Sequence, residues 1–214
     1  MSLVVLDNKM DRIAIIGYSG HSYVVLDACL KNDLRVQFYS DLFEKDENPF
    51  DLQYIGNESG AIFDWNLADS YILGIGDNNI REKISSRIIA NGKKILNVIH
   101  PTSTVANFVQ LGHGIYIGPQ TIVNALVQMG DCCIINSGAI VEHECRIGNN
   151  VHLAPGSVLT GQVTIGKNTF IGANAVIKQG ITIGDNVIIG AGSVVLNNIP
   201  TGEVWVGNPA KKLR

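Results

Sequence analysis

Charge and aromatic residues are both scarce in this sequence: 16% of its 214 residues are charged, 7% are aromatic, and the net charge is −3. A chain so balanced has no basic footprint for a polyanion, so nucleic acid is not an expected partner. No apolar run approaches the ~20 residues of a membrane span, and membrane insertion is not expected either. The N-terminus lacks the charged, apolar and small-residue order of a signal peptide, which points to the cytoplasm. The four cysteines, Cys29, Cys132, Cys133 and Cys145, include no Cys-x-x-Cys pair. They read as free, half-buried thiols. Cys132 and Cys133 alternate across a strand, which argues against a bond between them.

What the sequence does have is glycine, 23 of them, and aliphatic residues in a fixed rhythm. From Val105 to Val195 an aliphatic residue returns every sixth position, through Leu111, Ile117, Val123, Met129, Ile135, Val141, Ile147, Leu153, Leu159, Ile165, Ile171, Ile177, Ile183 and Ile189. Gly112, Gly130, Gly148, Gly166 and Gly184 recur every eighteenth position, which is three hexads. Such a period marks a solenoid whose repeats bury their apolar sides only by stacking. Six-residue repeats give a parallel β-helix in which three short strands and three corners close one triangular coil. Successive coils lie roughly 4.8 Å apart. Small residues such as Ala139, Ser157, Ala175 and Ser193 fit the remaining interior space. A β-sandwich is the alternative, and it predicts irregular loop lengths that the unbroken frame does not show.

Residues 12–100 follow another pattern. Arg12 to Ile16, Leu34 to Tyr39, Tyr71 to Ile75 and Ile95 to Val98 read as strands, with helices over Ser22 to Lys31 and Asn79 to Ala90. This alternation predicts a small parallel α/β sheet, half a Rossmann-like fold. Ligands of such sheets sit beyond the carboxyl ends of the strands, where glycine turns bring amides and a helix N-terminus to a phosphate. The turns Gly17 to His21 and Gly74 to Asn79 lie there, and they admit either a nucleotide site or tight packing alone. The dinucleotide fingerprint is incomplete, which disfavours NAD. Pro101 marks the boundary, dividing an α/β domain at 12–100 from a coil domain at 101–214 with a short C-terminal tail. Residues 1–11 read as a tail, Met1 to Leu3 as residues added in cloning, with Met10 an alternative natural start. His100, beside Pro101, reads as structural.

Within the coil, Val141-Glu142-His143-Glu144 breaks the aliphatic and glycine pattern with a histidine between carboxylates. A histidine bonded to a carboxylate keeps one tautomer and accepts a proton better on its other nitrogen, as a general base must. A solvated surface histidine is the other reading. Adjacent strand side chains point apart, so a His143–Glu144 contact requires a corner. The eighteen-residue step stacks Gly161 on one side of His143 and Ala125 on the other. His152 falls on a different side of the prism. Bringing both histidines to one ligand calls for a neighbouring subunit, and a three-sided prism suggests a homotrimer.

The hexads of residues 105–200, with the tail Val206-Gly207-Asn208-Pro209-Ala210, resemble the left-handed β-helix acyltransferases that use acetyl-CoA. Left-handed coiling is implied by that resemblance, against the general right-handed preference for crossovers. Gly17-Tyr18-Ser19-Gly20-His21, Ile75 to Ile84, Ile99-His100-Pro101 and Val141 to Cys145 extend it across residues 12–214. They resemble bacterial sugar acetyltransferases that N-acetylate UDP-linked 4-amino-4,6-dideoxy sugars, with the sialic acid O-acetyltransferases as a related branch. The resemblance implies His143 as general base and Glu144 as its orienting carboxylate. It implies Gly161 N–H as donor to the thioester carbonyl, and His152, Gly161, Ala173 and Ala191 around acetyl-CoA. Asn136, Gly17, Ser19, Gly20, His21, Asp41, Asn78 and Arg81 are implied for the acceptor. No metal is implied.

The reaction expected is direct transfer, with His143 taking the amine proton and Gly161 N–H meeting the oxyanion. Three alternatives are O-acetylation of a sialic-acid-type sugar, a zinc carbonic anhydrase on the same coil, and a nucleotide-binding scaffold without catalysis. The zinc reading needs three gathered histidines, and His21, His100, His113, His143 and His152 include no closely spaced pair.

Overall fold

The computed structural model describes residues 11–60 and 63–214, so most of the tail expected at residues 1–11 lies outside the described residues. Five parallel strands form the first sheet: β1 (Ile13–Ile16), β2 (Phe38–Ser40), β3 (Gln53–Tyr54), β4 (Ser70–Leu73) and β5 (Lys94–Ile95). Helix α1 (Gly20–Lys31) connects β1 to β2, and α2 (Asn78–Ala90) connects β4 to β5. The strand order is β3-β2-β1-β4-β5. The order in which successive strands are added therefore reverses between β1 and β4, which are parallel neighbours, and this opens a crevice at their carboxyl ends. β1 and β4 are buried throughout because both faces of the sheet are covered.

The coil begins one hexad earlier than the aliphatic frame predicts. Val98 and Ile99 pair with Tyr116 and Ile117 in the solenoid ladder, while the α/β sheet ends at Ile95. The single expected strand Ile95 to Val98 is thus two strands in two sheets, divided at Leu96 and Asn97.

Three ladders of two-residue strands build the prism. The first face stacks Val98–Ile99, Tyr116–Ile117, Ile134–Ile135, His152–Leu153, Phe170–Ile171 and Ile188–Ile189. The second stacks Thr104–Val105 through Val194–Val195, and the third Gln110–Leu111 through Thr182–Ile183. In each strand the second residue points inward, and Ile117, Ile135, Val141, Leu153, Leu159, Ile171, Ile177 and Ile189 are all fully buried. Burying one such side chain stabilises by about 1.5–3 kcal/mol, and each coil contributes several. Every corner places one residue per coil at positive φ, as with Glu144 at 61°, Asn150 at 57° and Asn174 at 55°.

Outward residues distinguish the faces. Val98, Tyr116 and Ile134 on the first face pack with Ile13, Ile15, Val25 and Leu26. The α/β region therefore lies on the first face with its α1 side. Cys132, at the corner between the third and first faces, packs with Ile84, Ile88 and Ile95 on the α2 side. The third face carries Gln110, Gln128, Arg146 and Thr164 outward. The second carries Ile122, Ile140, Val158, Val176 and Val194, an aliphatic column that no helix or sheet among the described residues covers. All four cysteines are free and buried.

Candidate active site

His143 and Glu144 occupy the corner between the second and third faces. Positive φ at Glu144 turns its side chain back along the corner, so that Oε2 lies 3.0 Å from His143 Nδ1. The carboxylate is acceptor only, hence Nδ1 carries the proton and Nε2 is left with a free lone pair. Gln162, one coil on, donates from Nε2 to the same Glu144 oxygen at 3.2 Å. The hydrogen bonds from His143 and Gln162 lower the Glu144 pKa and keep it ionised. The two side chains of the pair are 50% and 48% exposed, leaving the basic nitrogen open to a substrate.

Gly161 stacks directly against the His143 ring. A Cβ there would lie 2.6 Å from both Cε1 and Nε2, so any larger residue would push the imidazole out of this position. Its carbonyl accepts from Gly180 N at 3.0 Å, whereas its N–H has no acceptor among the described residues. A bare imidazole nitrogen and an amide with no acceptor among the described residues thus lie side by side.

The other candidates gather elsewhere. Asn136 and His152 meet on the first face, with His152 Nε2 3.3 Å from Asn136 Nδ2 and Nδ1 3.2 Å from Gly76 O. Gly76 O can only accept, so Nδ1–H donates to it and Nε2 accepts from the amide. The His152 ring stands edge-on to Phe170 and 6.3 Å from the His21 ring. Burial, with the Arg81 charge nearby, lowers both His21 and His152 to about 4, so both are neutral. His21 Nε2 and Tyr116 Oη are buried without a hydrogen-bond partner among the described residues.

In the α/β region, Gly17 adopts φ 88°, and a Cβ there would press on Ile75 and Gly74. Gly20 has open space around it, and Ser19 lies exposed at the start of α1. Asp41, at the end of β2, accepts from Tyr18 N at 2.9 Å and Leu42 N at 2.6 Å and pairs with Lys45 at 3.2 Å.

Residues 12–88 match the family model described as the PglD N-terminal domain. Residues 126–161 match the bacterial transferase hexapeptide model, and 162–197 the hexapeptide repeat of succinyl-transferase. Among solved structures, a variant of perosamine N-acetyltransferase from Caulobacter crescentus, in complex with CoA and GDP-perosamine, is 31% identical. The match covers 95% of this chain and 97% of that one, with a TM-score of 0.89. The acetyltransferase domain of PglB from Neisseria gonorrhoeae, in complex with acetyl coenzyme A, is 30% identical over 95% of this chain and 99% of that one, with a TM-score of 0.88. WeeI from Acinetobacter baumannii is 26% identical over 94% and 99%, with a TM-score of 0.83. This chain belongs to the hexapeptide-repeat sugar acetyltransferases. Its solenoid is the left-handed β-helix of that family.

Two residues expected at the acceptor in this acetyltransferase are engaged within the chain. Arg81 is 1% exposed, and all five of its N–H groups are bonded within the chain, to Ile75 O, Gly76 O, Asn78 Oδ1, Cys132 O and Asn150 O. Asn78 Nδ2 is engaged by Asn168 O and Thr169 O. Neither side chain has a donor left for an acceptor; both join α2 to the coil. Burial pulls the Arg81 guanidinium down to about 10.

Ala173 and Ala191 lie at the corner between the first and second faces, one coil apart, with Gly192 N donating to Ala173 O. That corner is not the one holding His143. His100 is buried with Nδ1 bonded to Thr102, and His113 pairs with Asp131 at 2.8 Å. Among the described residues no three His, Cys, Asp or Glu side chains gather as a metal site. An open concavity of about 520 Å³ over the third face, lined by Gln110, Gln128, Arg146 and Thr164, touches none of the candidates. Gln162 was missed from the sequence although the eighteen-residue step places it beside Glu144. The Gly76 carbonyl carries no sequence signal at all.

Proposed function

We propose that the protein transfers the acetyl group of acetyl-CoA to the 4-amino group of a nucleotide-linked 4-amino-4,6-dideoxy sugar. The observation that carries this reading is the corner where His143, held by Glu144, presents Nε2 beside the unused N–H of Gly161. The neutral amine attacks the thioester carbon as Nε2 takes the amine proton, and the N–C bond forms. The oxyanion is held by Gly161 N–H, a type of donor whose loss costs roughly 2.7–4 kcal/mol. The C–S bond then breaks, and the CoA thiolate recovers the proton from His143. A covalent enzyme intermediate is not needed. Burial raises the Cys133 thiol to about 12 and the Cys145 thiol to about 11, which makes them poor nucleophiles.

Acetyl-CoA is proposed to lie along Gly161, Ala173 and Ala191 with Asn136 and His152 nearby. The acceptor is proposed to sit at Gly17, Ser19, Gly20, His21 and Asp41. The α/β region covers the first face, whereas His143 stands at the opposite corner. Ala173 and Ala191 stand at a third position. A complete site then draws on two copies of the chain, and a homotrimer supplies it. Support comes from the bare aliphatic column of the second face and from Phe108 and Leu126 at its edge, which are 81% and 56% exposed. The nucleotide is proposed as uridine. The Caulobacter relative holds GDP-perosamine, so guanosine is the arm to compare.

Thiol release from acetyl-CoA, measured with UDP- and GDP-linked 4-amino sugars and with a sialic acid, tests the reading. Release with the amino sugars and none with the sialic acid is expected. Release only with the sialic acid would shift the assignment to O-acetylation. Solution mass tests the trimer, and a monomer with full activity would sink the shared site.

A further inference from the structure

The first turn of α2 makes contacts that neither the sheet nor the acetyl chemistry requires. At the corner between the third and first faces, Cys132, Asn150 and Asn168 adopt φ of 56°, 57° and 58°. The ladder bonds there run from Asn150 N to Asp131 O and from Asn168 N to Asn149 O. The carbonyls of Cys132, Asn150 and Asn168 therefore receive no backbone donor, and a buried carbonyl left so is costly.

Side chains of α2 supply the missing donors. Arg81 Nε donates to Cys132 O at 2.8 Å and Nη2 to Asn150 O at 2.9 Å, while Asn78 Nδ2 reaches Asn168 O at 2.9 Å. From the coil side, Asn168 Nδ2 donates to Glu82 Oε2 at 2.7 Å. Residues 78, 81 and 82 share one helix face. A three-residue step along a helix is about 4.5 Å, close to the ~4.8 Å between coils, so successive side chains meet successive corners.

The remaining Arg81 donors hold the loop after β4, through Ile75 O at 3.2 Å and Gly76 O at 3.0 Å. His152 adds a second bond to Gly76 O. No carboxylate faces the guanidinium in any of these bonds. A buried cation without an anion is retained only with every proton bonded, and here all five are. Lysine has three donors and no planar fork, so it cannot span two coils and a loop together.

We propose that Arg81 is a positioning residue: it locks the acceptor edge of the α/β region to the coil, so that the amino sugar is presented at a fixed place relative to the bound acetyl group. This rests on the acetyl-transfer reading. Arg81→Lys is expected to fold, to keep its solution mass and acetyl-CoA affinity, and to lose about 10-fold or more in kcat. Hydrogen exchange is expected to quicken in residues 74–82 and to stay unchanged in coil residues 134–195. Arg81→Met is expected to match Arg81→Lys within a few-fold, because the fork rather than the charge is at stake.

Wild-type kcat in folded Arg81→Lys overturns the proposal. So does exchange that quickens equally along the whole coil, the mark of a residue that only maintains the fold. Should Arg81→Lys fail to fold, Asn168→Asp sets a carboxylate against Glu82 and loosens the same seam from the coil side. A smaller kcat loss with the same local exchange pattern is then expected, and no change in either overturns the proposal. Failure of the acetyl-transfer reading is distinguishable, because the wild type itself would then release no thiol with any nucleotide amino sugar.

Discussion

His143 and His152 lie half a coil apart in one chain, and their surroundings are opposite. His143 stands at an outer corner, half exposed, with a carboxylate on Nδ1 and nothing on Nε2. His152 lies in the seam between the α/β region and the coil, 9% exposed, with a carbonyl on one nitrogen and an amide on the other. Burial lowers the proton affinity of His152. The same side chain thus leaves one nitrogen open at the corner and serves as a neutral connector in the seam. Substitutions at the two should fail in different ways.

The largest effect is expected at the corner. His143→Ala should lower turnover about 10²–10⁴-fold while leaving acetyl-CoA affinity and thermal stability near wild type. Near-normal turnover would remove His143 from the mechanism and erase the contrast with His152. Gly161→Ala is next. Its Cβ would meet the His143 ring at 2.6 Å, forcing the imidazole aside. A displacement near 1 Å costs on the order of 10² in rate, to be read as a fall in kcat at constant stability. Glu144→Gln is gentler: the amide can still accept from Nδ1 but no longer supplies the charge. Turnover about 10-fold below wild type is expected, because the imidazole loses the charged partner of Nδ1. Wild-type turnover in Glu144→Gln would show that the carboxylate's charge does not serve the base.

The coil was legible because its physics is local and repeated. Each hexad must turn one aliphatic side chain inward, so Ile135, Leu153 and Ile171 announce their ladder from composition alone. The stacking of Gly161 on His143 followed from the same step. The seam was not legible. Nothing in the residues around Val98 tells which of two sheets it joins, since both want a β-branched residue. Arg81 in the first turn of an amphipathic helix looks like a solvent or ligand contact. Its partners are carbonyls at Cys132 and Asn150, and backbone acceptors have no residue code. Only the docking of the two regions turns a charged side chain into a buried link.

The remaining effect concerns the seam and leaves turnover aside: it is one of stability. His21 and His152 are lowered to about 4 in the folded protein, from an ordinary value of 6.5. Between those values the unfolded chain binds more protons than the folded one, so stability is full above pH 6.5 and falls as pH drops toward 4. The loss between pH 7 and pH 5 is on the order of 2 kcal/mol for each imidazole. Carboxylates lowered by pairing, such as Asp69 at about 2, lose their contribution only further down and do not confuse this window. Denaturant unfolding at pH 7 and pH 5 should show the decline. His152→Gln should remove about half of it, since His21 still titrates. An undiminished decline in His152→Gln would overturn the assignment of this pH response to the seam.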